Sequence, residues 1–405
     1  MAILNSDTFD AMLKELYPGN VPQNLAMKRH PFLSMVKKVD DFEGDNLVIP
    51  VYYENPASRS VNFGTAQANA ASSSSVKWGL SQMMDYSVIS IDALTIRQSR
   101  SNKGAFVRAR QTEIDMMLKQ LGNSAAHALY RDGYGYIGRI ITTGSAITGG
   151  EVTFTLENAD DARNFVVGQS IVFATNSDGT TPVGTAETVT SVNEASGAIG
   201  CTALHADIDL GDYIWPAGDL TASTLTKMAG LEAWIPLTTP SATLFFGVNR
   251  SLHPTRLAGH RLNATGNSIE ENILTLAEDI VRSGGSPDKC FISHGNFSNL
   301  VKGLGTKVEY NGAGGKADVG FGGVQIHTSA GPITVHPDPD CPANRGYCLQ
   351  MDSWAIHHLD AFPHIDTMDG NSSLRGSITD TIEVRARYWA QLACIAPGWN
   401  GVFAI

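Results

Sequence analysis

The stretch that decides the fold runs from Asn46 to Arg131. It opens with NLVIPVYYENPASRSVNFG (46–64), continues through TAQANAASSSS (65–75) and returns with VKWGLSQMMDYSVISIDALTI (76–96). The outer pieces predict the two strands of a hairpin, and the middle piece predicts a tip of small residues with little to bury. An isolated two-stranded hairpin is marginally stable in water, so such an arm makes sense if a neighbouring subunit supplies the surface beneath it. The stretch therefore points to assembly rather than catalysis.

One long helix is predicted directly after the hairpin, from about Asn102 to Tyr130. Asn102 or Ser101 can cap its first turn. Its apolar residues recur at helical spacing and form one stripe, made of Phe106, Ile114, Met117, Leu118, Leu121, Ala125 and Leu129. At about 1.5 Å per residue the helix spans roughly 40 Å, so it would serve as a beam on which other elements pack.

The next segment differs sharply from the rest of the chain in charge. Between Thr143 and Asp219 there are eleven acidic residues and one base, Arg163, so this segment carries −10 of the total net charge of −11. Such a contrast marks a separate module. Its short β-rich runs, divided by Gly, Asn and Asp turns, predict a small barrel or sandwich: EVTFTL, FVVGQSIVFAT, GTAETVTSVN and GAIGCTAL. The acidity argues against phosphate binding, which depends on Lys and Arg.

Composition sets the broad class of the protein. A chain of 405 residues can bury a sizeable core and predicts two or three domains. No apolar run approaches the roughly 18–20 residues needed to cross a bilayer. The start, MAILNSDTFDAMLKELYPGN (1–20), lacks the pattern of a signal peptide and predicts a short amphipathic helix. Five scattered cysteines fit reduced thiols rather than a disulfide framework: Cys201, Cys290, Cys341, Cys348 and Cys394.

From Leu220 the pattern becomes α/β. SIEENILTLAEDIVRSG (268–284) predicts an amphipathic helix that begins at Ser268, with two acids in its first turn and Arg282 and glycine at its end. CFISHGNFSNLVKGL (290–304) predicts a buried strand, a turn and a short helix. Near the end of the chain, strict alternation predicts a strand through Ile382, Val384, Ala386 and Tyr388, and a second apolar strand follows.

Two patterns that resemble chemical motifs have simpler explanations. Gly133, Gly135 and Gly138 spell G-x-G-x-x-G, but a dinucleotide loop needs a strand before it and a helix after it. Here a predicted helix precedes the glycines and β structure follows them, so they predict a helix terminator leading into a turn. Asp338 and Asp340 lie in a Pro-rich loop, where turn formation explains them.

The remaining candidates do not form a catalytic or metal-binding constellation. His357, His358 and His364 lack the spacing of ligands on one helical face, so ordinary histidines are the favoured interpretation. Cys290 with His294 matches no thiol-enzyme signature. Lys28–His30 is a small basic patch, which on a tail is more often solvated than bound to nucleic acid. The sequence therefore predicts no enzyme, no catalytic residues, no cofactor and no metal.

Four sequence blocks carry a resemblance to a known family. They are HPFLSMVKKVDDFEGDNLVIPVYYENP (30–56), GTAQANAASSSS (64–75), KGAFVRARQTEIDMMLKQLGNSAAHALYRDGYGYIGRI (103–140) and VNRSLHPTRLAGHR (248–261). Together with the order of the predicted parts, they resemble the major capsid proteins of tailed double-stranded DNA bacteriophages, which have the HK97-type fold. The resemblance covers most of the chain except the acidic segment.

The resemblance implies an α+β fold with named parts. These would be an N-arm, an extended hairpin called the E-loop, a peripheral domain with a long spine helix, and an axial α/β domain, with a small β-barrel or sandwich inserted. The implied division is 1–45 for the N-arm, 46–95 for the E-loop, 96–142 for the peripheral domain, 143–219 for the insertion, 220–350 for the axial domain, and 351–405 for C-terminal strands that complete both domains.

The resemblance also implies the function and the partners. Hexamers and pentamers of the chain would form the icosahedral head of a virion around double-stranded DNA, without sequence-specific DNA binding and without a membrane. Assembly would take place in the host bacterial cytoplasm. Further partners would be a portal, a separate scaffolding protein, since the arm begins at once, and possible decoration proteins. Some relatives crosslink an E-loop lysine to a neighbour, but Lys77 lies on the return strand, so no crosslink is expected.

The residues expected at inter-subunit contacts are Arg59, Lys77 and Trp78, with exposed decoration of the hairpin as the alternative. Three other functions stay open at this point. One is an encapsulin-like compartment shell of the same fold with protein cargo. The second is a soluble enzyme that uses the Gly-rich segment 303–323. The third is a secreted carbohydrate-binding β protein, which the absence of a signal-peptide pattern disfavours.

Overall fold

The computed structural model describes residues 30–44, 46–98, 109–146, 152–203, 205, 207–263, 266–304, 324–367, 370–371, 373–376 and 380–405. Its main parts are two six-stranded sheets, a closed six-stranded barrel and a two-stranded hairpin. The α-helices are Pro31–Met35 (α1), Phe63–Ala68 (α2), Ala93–Gln98 (α3), Ala109–Ala128 (α4), Leu231–Trp234 (α5), Pro254–Ala258 (α6), Ile269–Arg282 (α7) and His294–Leu304 (α8).

The strands follow the same chain order. They are Lys37–Asp40 (β1), Asn46–Glu54 (β2), Ser74–Ser81 (β3), Met83–Asp92 (β4), Gly138–Ala146 (β5), Val152–Leu156 (β6), Ser170–Ala174 (β7), Pro182–Asn193 (β8), Ala198–Cys201 (β9), Tyr213–Pro216 (β10), Leu244–Phe245 (β11), Val248–Asn249 (β12), His260–Leu262 (β13), Lys289–Ile292 (β14), Val324–Thr328 (β15), Gly331–Pro337 (β16), Arg345–Leu349 (β17), Trp354–His358 (β18), His364–Ile365 (β19), Leu374–Arg375 (β20), Thr381–Cys394 (β21) and Gly401–Ala404 (β22).

The first sheet is built around the long strand β21. β18 pairs with the C-terminal part of β21, and β4 pairs with Thr381–Ala390. β1 runs parallel to β18 at the edge, so the chain after His30 belongs to this sheet rather than to a free arm. The strand predicted through Ile382, Val384, Ala386 and Tyr388 is confirmed, with Ile382 half-buried and the other three buried, but the strict alternation ends at Arg387, which is buried as well.

Helix α4 packs on this sheet, chiefly against β4. Its described part begins at Ala109, and the predicted residues 102–108 lie outside the described residues. Met117 and Leu121 are buried, as the apolar stripe predicts. After the helix, Gly133 and Gly135 have φ of +94° and +87°, in the left-handed region that favours glycine. The predicted helix terminator and turn are therefore confirmed.

The second sheet has the strand order β13-β22-β17-β14-β16-β15 and mixes parallel and antiparallel pairs. Helices α7 and α8 bury apolar residues against it. Ser268 caps α7 as predicted: its hydroxyl accepts the Glu271 N–H at 3.2 Å, and the Glu271 carboxylate accepts the Ser268 N–H at 3.0 Å. The predicted strand, turn and helix of 290–304 are confirmed as β14 and α8.

The acidic segment forms a closed barrel with the strand order β10-β5-β6-β9-β8-β7. The barrel begins at Gly138, five residues before the predicted start at Thr143, because β5 includes the residues just after the glycine turn. Of the two predicted architectures, the structure has the barrel. Its core is separate from the two sheets and consists mainly of Ile140, Phe154, Leu156, Ile171, Phe173, Val189, Ile199 and Ile214.

The hairpin is shorter than predicted. β2 pairs with β3 from Asn46 opposite Ser81 to Glu54 opposite Ser74. The predicted return strand breaks at Gln82, and its second half becomes β4 of the first sheet. The break occurs because Ile91 and its neighbours are buried in the body, where β4 gains a long partner in β21. The hairpin therefore spans Asn46–Ser81 rather than 46–95.

Some predictions fall on residues that the structure does not describe. These are the N-terminal helix and most of the predicted arm, residues 1–29, and nearly all of the Gly-rich segment, residues 305–323. All five cysteines are described, and each is buried with a free thiol. Within the described ranges, no helix is both long enough and apolar enough to cross a membrane.

Candidate assembly surface

The inner half of the hairpin is anchored in the core of its own chain. The Trp78 ring is fully buried, with its centroid 5.1 Å from that of Trp234 and 6.1 Å from that of Phe245. The backbone of Gly79 donates a hydrogen bond to the carbonyl of Phe246 at 3.0 Å. Aromatic burial of this kind contributes several kcal/mol, so the hairpin does not depend on a neighbour at this end.

The anchoring continues outward as far as Tyr53. Its ring meets the His253 ring at 6.4 Å, and its carbonyl accepts a hydrogen bond from the Arg256 guanidinium. Along β2, residues alternate between a half-buried face and an exposed face. The half-buried face, which includes Leu47, Ile49 and Val51, packs on the core. We call the paired part, 46–54 with 74–81, the hairpin root.

Beyond the root, residues 55–73 form what we call the hairpin tip. Almost every tip residue is exposed, including Val61 and Phe63. The exposed fraction of Phe63 is 82%. The short helix α2 gives the tip local order: the Asn62 side chain accepts hydrogen bonds from the N–H groups of Gly64 and Thr65 at 2.9 and 3.4 Å. The capped helix α2 thus holds the Phe63 ring in contact with solvent.

The solvent face of the root also carries apolar side chains. Val48 and Tyr52 are 52% and 76% exposed on β2. They lie on the side opposite the core, because side chains alternate along a strand. Root and tip thus each offer exposed apolar side chains, and together with the polar residues between them they form the exposed strip of the hairpin, which is the candidate contact surface.

The barrel meets the two sheets at a buried, charged junction. The Arg131 guanidinium, at the end of α4, bonds the barrel's Asp161 at 2.5 Å. Arg345 of β17 pairs with Glu232 at 2.7 Å, and the Tyr136 hydroxyl donates to Glu232 at 3.0 Å. A cavity of about 260 Å³ lies among these groups. Because each buried charge has an opposite partner, the junction fixes how the barrel sits on the body.

The pKa values at this junction follow from burial and from these partners. Burial alone would raise the pKa of Asp161 and of Glu232, but the adjacent guanidinium groups of Arg131 and Arg345 outweigh it and hold both below their usual range. Asp132 behaves in the opposite way. Burial, together with the charge of Glu232, raises the pKa of Asp132 to about 8.

The family model of the SU10 major capsid protein matches residues 214–382, less than half of the chain. The cyanophage A-1(L) capsid subunit structure is similar at 12% identity and a TM-score of 0.54, over 93% of this chain and 92% of that chain. At that identity the likeness shows the fold. Over residues 214–382 the chain is thus similar to the SU10 major capsid protein, and over nearly its whole length it has the fold of the cyanophage capsid structure.

Two further solved structures align over nearly the whole chain. A subunit of the native GTA particle capsid covers 97% of this chain and 95% of its own at 8% identity and a TM-score of 0.49. A structure from Mycobacterium phage Ogopogo covers 100% of this chain and 99% of its own at 10% identity and a TM-score of 0.44. No curated protein matches the chain.

In this capsid fold the three residues predicted at subunit contacts fall in different environments. Arg59 is exposed on the tip, and Lys77 is exposed on the root, and among the described residues neither makes an ion pair. Trp78 is not at the surface, so its prediction as a contact residue is wrong. The error arose because an indole on a predicted free arm seemed to need a partner chain, whereas Trp234 of the same chain supplies the contact.

The loop with Asp338 and Asp340 does more than the predicted turn. The turn is present, because the Asp338 carboxylate accepts the Asp340 N–H at 3.0 Å. Asp338 also accepts the N–H of Phe32 at 3.0 Å, and Asp340 bonds His30. Both aspartates are buried. Sequence reasoning missed this role, since residues about 300 positions apart give no local signal.

The three C-terminal histidines take part in ordinary structural contacts. His357 bonds Asp41 at 2.6 Å, and His364 lies 3.8 Å from Asp360. His358 stacks on Phe362 with centroids 6.5 Å apart. Among the described residues, no group of three or more His, Cys, Asp or Glu side chains is placed to hold a metal ion.

Proposed function

We propose that the chain is the major capsid protein of a tailed double-stranded DNA phage, assembling as hexamers and pentamers into an icosahedral head. The single observation that carries this proposal is the capsid fold over 93% of the chain, together with a hairpin that is anchored at its root and exposed at its tip. A shell subunit needs such an arm, because the root must stay attached to its own subunit while the tip contacts a neighbour.

In the proposed shell each described part has a role. β1 would be where the N-arm of residues 1–45 joins the peripheral domain, 46–81 would be the E-loop, α4 the spine helix, and the first sheet the peripheral domain. The second sheet would be the axial domain, and the barrel an inserted domain. C-terminal strands would complete both domains, which agrees with the placement of β21 in the first sheet and β22 in the second.

Contacts between subunits would spread over the exposed strip of the hairpin, with Arg59 and Lys77 at its polar positions. A contact that buries roughly 1,000 Å² or more per neighbour lies in the range of specific interfaces. Repetition around the shell then multiplies modest contacts into a stable assembly through avidity. The near-neutral remainder of the chain suits a container that holds DNA without sequence-specific binding.

Other partners follow from the same proposal. A portal and a separate scaffolding protein would act during assembly in the host cytoplasm, and a decoration protein is a further possible partner. No catalytic role is proposed. An encapsulin-like shell would share the fold, so co-purification of full particles with DNA or with a protein cargo separates the two functions.

The sharpest test removes the hairpin tip and leaves the root intact. Residues 56–73 are replaced by a short Gly-Ser turn, because β2 and β3 then keep every paired residue, from Asn46 opposite Ser81 to Glu54 opposite Ser74. We expect folded monomers or capsomers that do not close into shells, observed by sedimentation velocity and negative-stain electron microscopy. Normal shells from this variant would refute the assembly role of the tip.

A milder pair of variants controls for surface polarity. Val61→Ser with Phe63→Ser changes two exposed apolar residues of the tip, and Val166→Ser with Val167→Ser changes two on the barrel, which are 57% and 61% exposed. We expect the tip pair to reduce the yield of shells at least tenfold and the barrel pair to leave it unchanged. Equal yields from both pairs would show that the tip has no special role.

A further inference from the structure

His30 lies where three distant segments of the chain meet. Its Nδ1 is 2.5 Å from the Asp340 carboxylate of the loop after β16, and its Nε2 is 2.6 Å from the side-chain oxygen of Asn123 on α4. Both partners are oxygen acceptors, so a ring that satisfies both must donate from both nitrogens. Only the charged imidazolium can do so. The side chain is largely buried, with 12% exposed.

The residues that follow His30 depend on the same loop. The Phe32 N–H donates to the Asp338 carboxylate at 3.0 Å. The Phe32 ring is fully buried, with its centroid 5.4 Å from Tyr130 and 5.2 Å from Phe291. Helix α1 and strand β1 continue from there into the first sheet. Residues 30–32 are therefore held in place by the buried Phe32 ring and by the hydrogen bonds of the His30 ring.

We propose that His30 is a proton-controlled clamp that fixes residues 30–36 to the 338–341 loop and to α4. The clamp opens when the ring loses its proton. In the open state the neutral ring donates from one nitrogen only, so the Asn123 amide must turn to donate to Nε2 or one of the two acceptors loses its partner; in either case the charge-assisted bond to Asp340 is lost. The clamp is a property of the single chain, and it goes beyond the proposed shell function.

The surroundings of the clamp favour the charged ring. The loop contributes Asp338, Asp340 and Cys341, α4 contributes His127, and the turn after α4 contributes Tyr130. Burial holds the pKa of His127 below its ordinary value, and it holds those of Tyr130 and Cys341 above theirs, so these three groups are neutral near pH 7. The charges that face His30 are thus carboxylates.

The direction of the pH dependence follows from His30. Burial alone would lower the pKa of His30, but the hydrogen bond and charge of Asp340 outweigh it and raise the pKa above its ordinary value. The stabilisation is then complete at low pH and lost as pH rises through that raised pKa. Burial beside Asp340 also raises the pKa of Asp338 to about 6, and its ionisation adds a negative charge near the ring that supports the imidazolium. Opening toward alkaline pH therefore follows from the loss of the His30 proton.

The test measures hydrogen–deuterium exchange of residues 30–36 in the full-length protein by mass spectrometry, from pH 5.5 to 9, with rates corrected for intrinsic exchange. We expect protection of this segment to fall at least tenfold across the range. Histidine Cε1 exchange, read from the same protein, reports the pKa of His30 directly. Protection that does not change with pH in the native protein would overturn the proposal.

Three variants separate the clamp from general loosening. His30→Gln should remove the pH dependence of the segment. Asp340→Asn, which keeps an acceptor oxygen but removes the charge, should move the opening to lower pH. His294→Gln, at an exposed histidine that begins α8, should leave the pH profile unchanged. A native-like profile in Asp340→Asn would contradict the proposal even if His30→Gln fails to fold.

Discussion

The barrel and the hairpin are both β structures that leave the body of the molecule, but they are stabilised in different ways. The barrel closes its six strands into a ring and has its own core, so it exposes no unpaired strand edge. The hairpin has two strands and no core of its own, and its root is stabilised by aromatic rings of the body. The barrel is therefore a self-contained module, whereas the root of the hairpin depends on the body and its tip is exposed.

The strongest test of this contrast is a pair of variants within the hairpin. Trp78→Ala removes a fully buried indole from the root, and large-to-small changes of this kind cost about 3–5 kcal/mol. Phe63→Ala removes an exposed ring from the tip, and we expect stability to change by less than about 0.5 kcal/mol. Thermal unfolding of unassembled protein measures both.

The same pair should show the reverse order in assembly. Phe63→Ala should reduce shell formation in a protein of normal stability, which a sedimentation assay detects. If Trp78→Ala left the unfolding temperature unchanged, the root would not be anchored as the structure indicates. If Phe63→Ala lowered it by several degrees, the tip would pack on its own chain.

A second test concerns the attachment of the barrel. Asp161→Ala leaves the Arg131 guanidinium buried without its partner, and breaking a buried ion pair costs about 3 kcal/mol or more. Because the barrel core is separate, we expect exchange protection to fall at the junction while strands β6 and β7 stay protected. The double variant Arg131→Met with Asp161→Leu should recover most of the loss. Simultaneous loss of protection throughout the barrel would show that it does not fold as an independent unit.

The predictability of the two regions from sequence differs for a physical reason. The barrel is predicted from local features, namely its acidic residues and its short β-rich runs separated by turn residues. Its start differs from the prediction, at Gly138 rather than at Thr143. The end of the hairpin cannot be read in this way, because β3 and β4 have the same strand pattern on either side of Gln82. Which partner each strand takes is decided by residues far along the chain, Trp234 for β3 and β21 for β4.

The same distinction explains which contacts of polar residues can be predicted from the sequence. The capping of α7 by Ser268 depends on residues three positions apart, so the sequence predicts it. The contacts of His30 with Asp340, and of Arg345 with Glu232, join residues more than 100 positions apart, and each looks like an ordinary polar residue in its local sequence. Trp78 illustrates the opposite error, since a residue on an extended arm proved to be core.

The smallest expected effect concerns pH at the barrel junction. The Asp132 carboxylate accepts the Tyr134 N–H at 3.1 Å, and its pKa is raised to about 8 by burial and by Glu232. A raised pKa in the folded state means that the stabilisation by Asp132 is complete at low pH and lost as pH rises through about 8. The native protein should thus lose stability progressively between the ordinary pKa of an aspartate, about 4, and about 8.

Asp132→Asn keeps the acceptor oxygen for Tyr134 and cannot ionise, so it should flatten this part of the pH profile. The side chain remains partly accessible to water, so we expect a gain on the order of 1 kcal/mol at pH 9 relative to the native protein. Thermal unfolding at pH 6 and pH 9 measures it, with Asp209→Asn, at an exposed barrel carboxylate, as the control for net charge. An equal gain in the control would show that the effect comes from the barrel's overall negative charge. The stabilisation of the junction would then be assigned to the ion pairs of Arg131 and Arg345 alone.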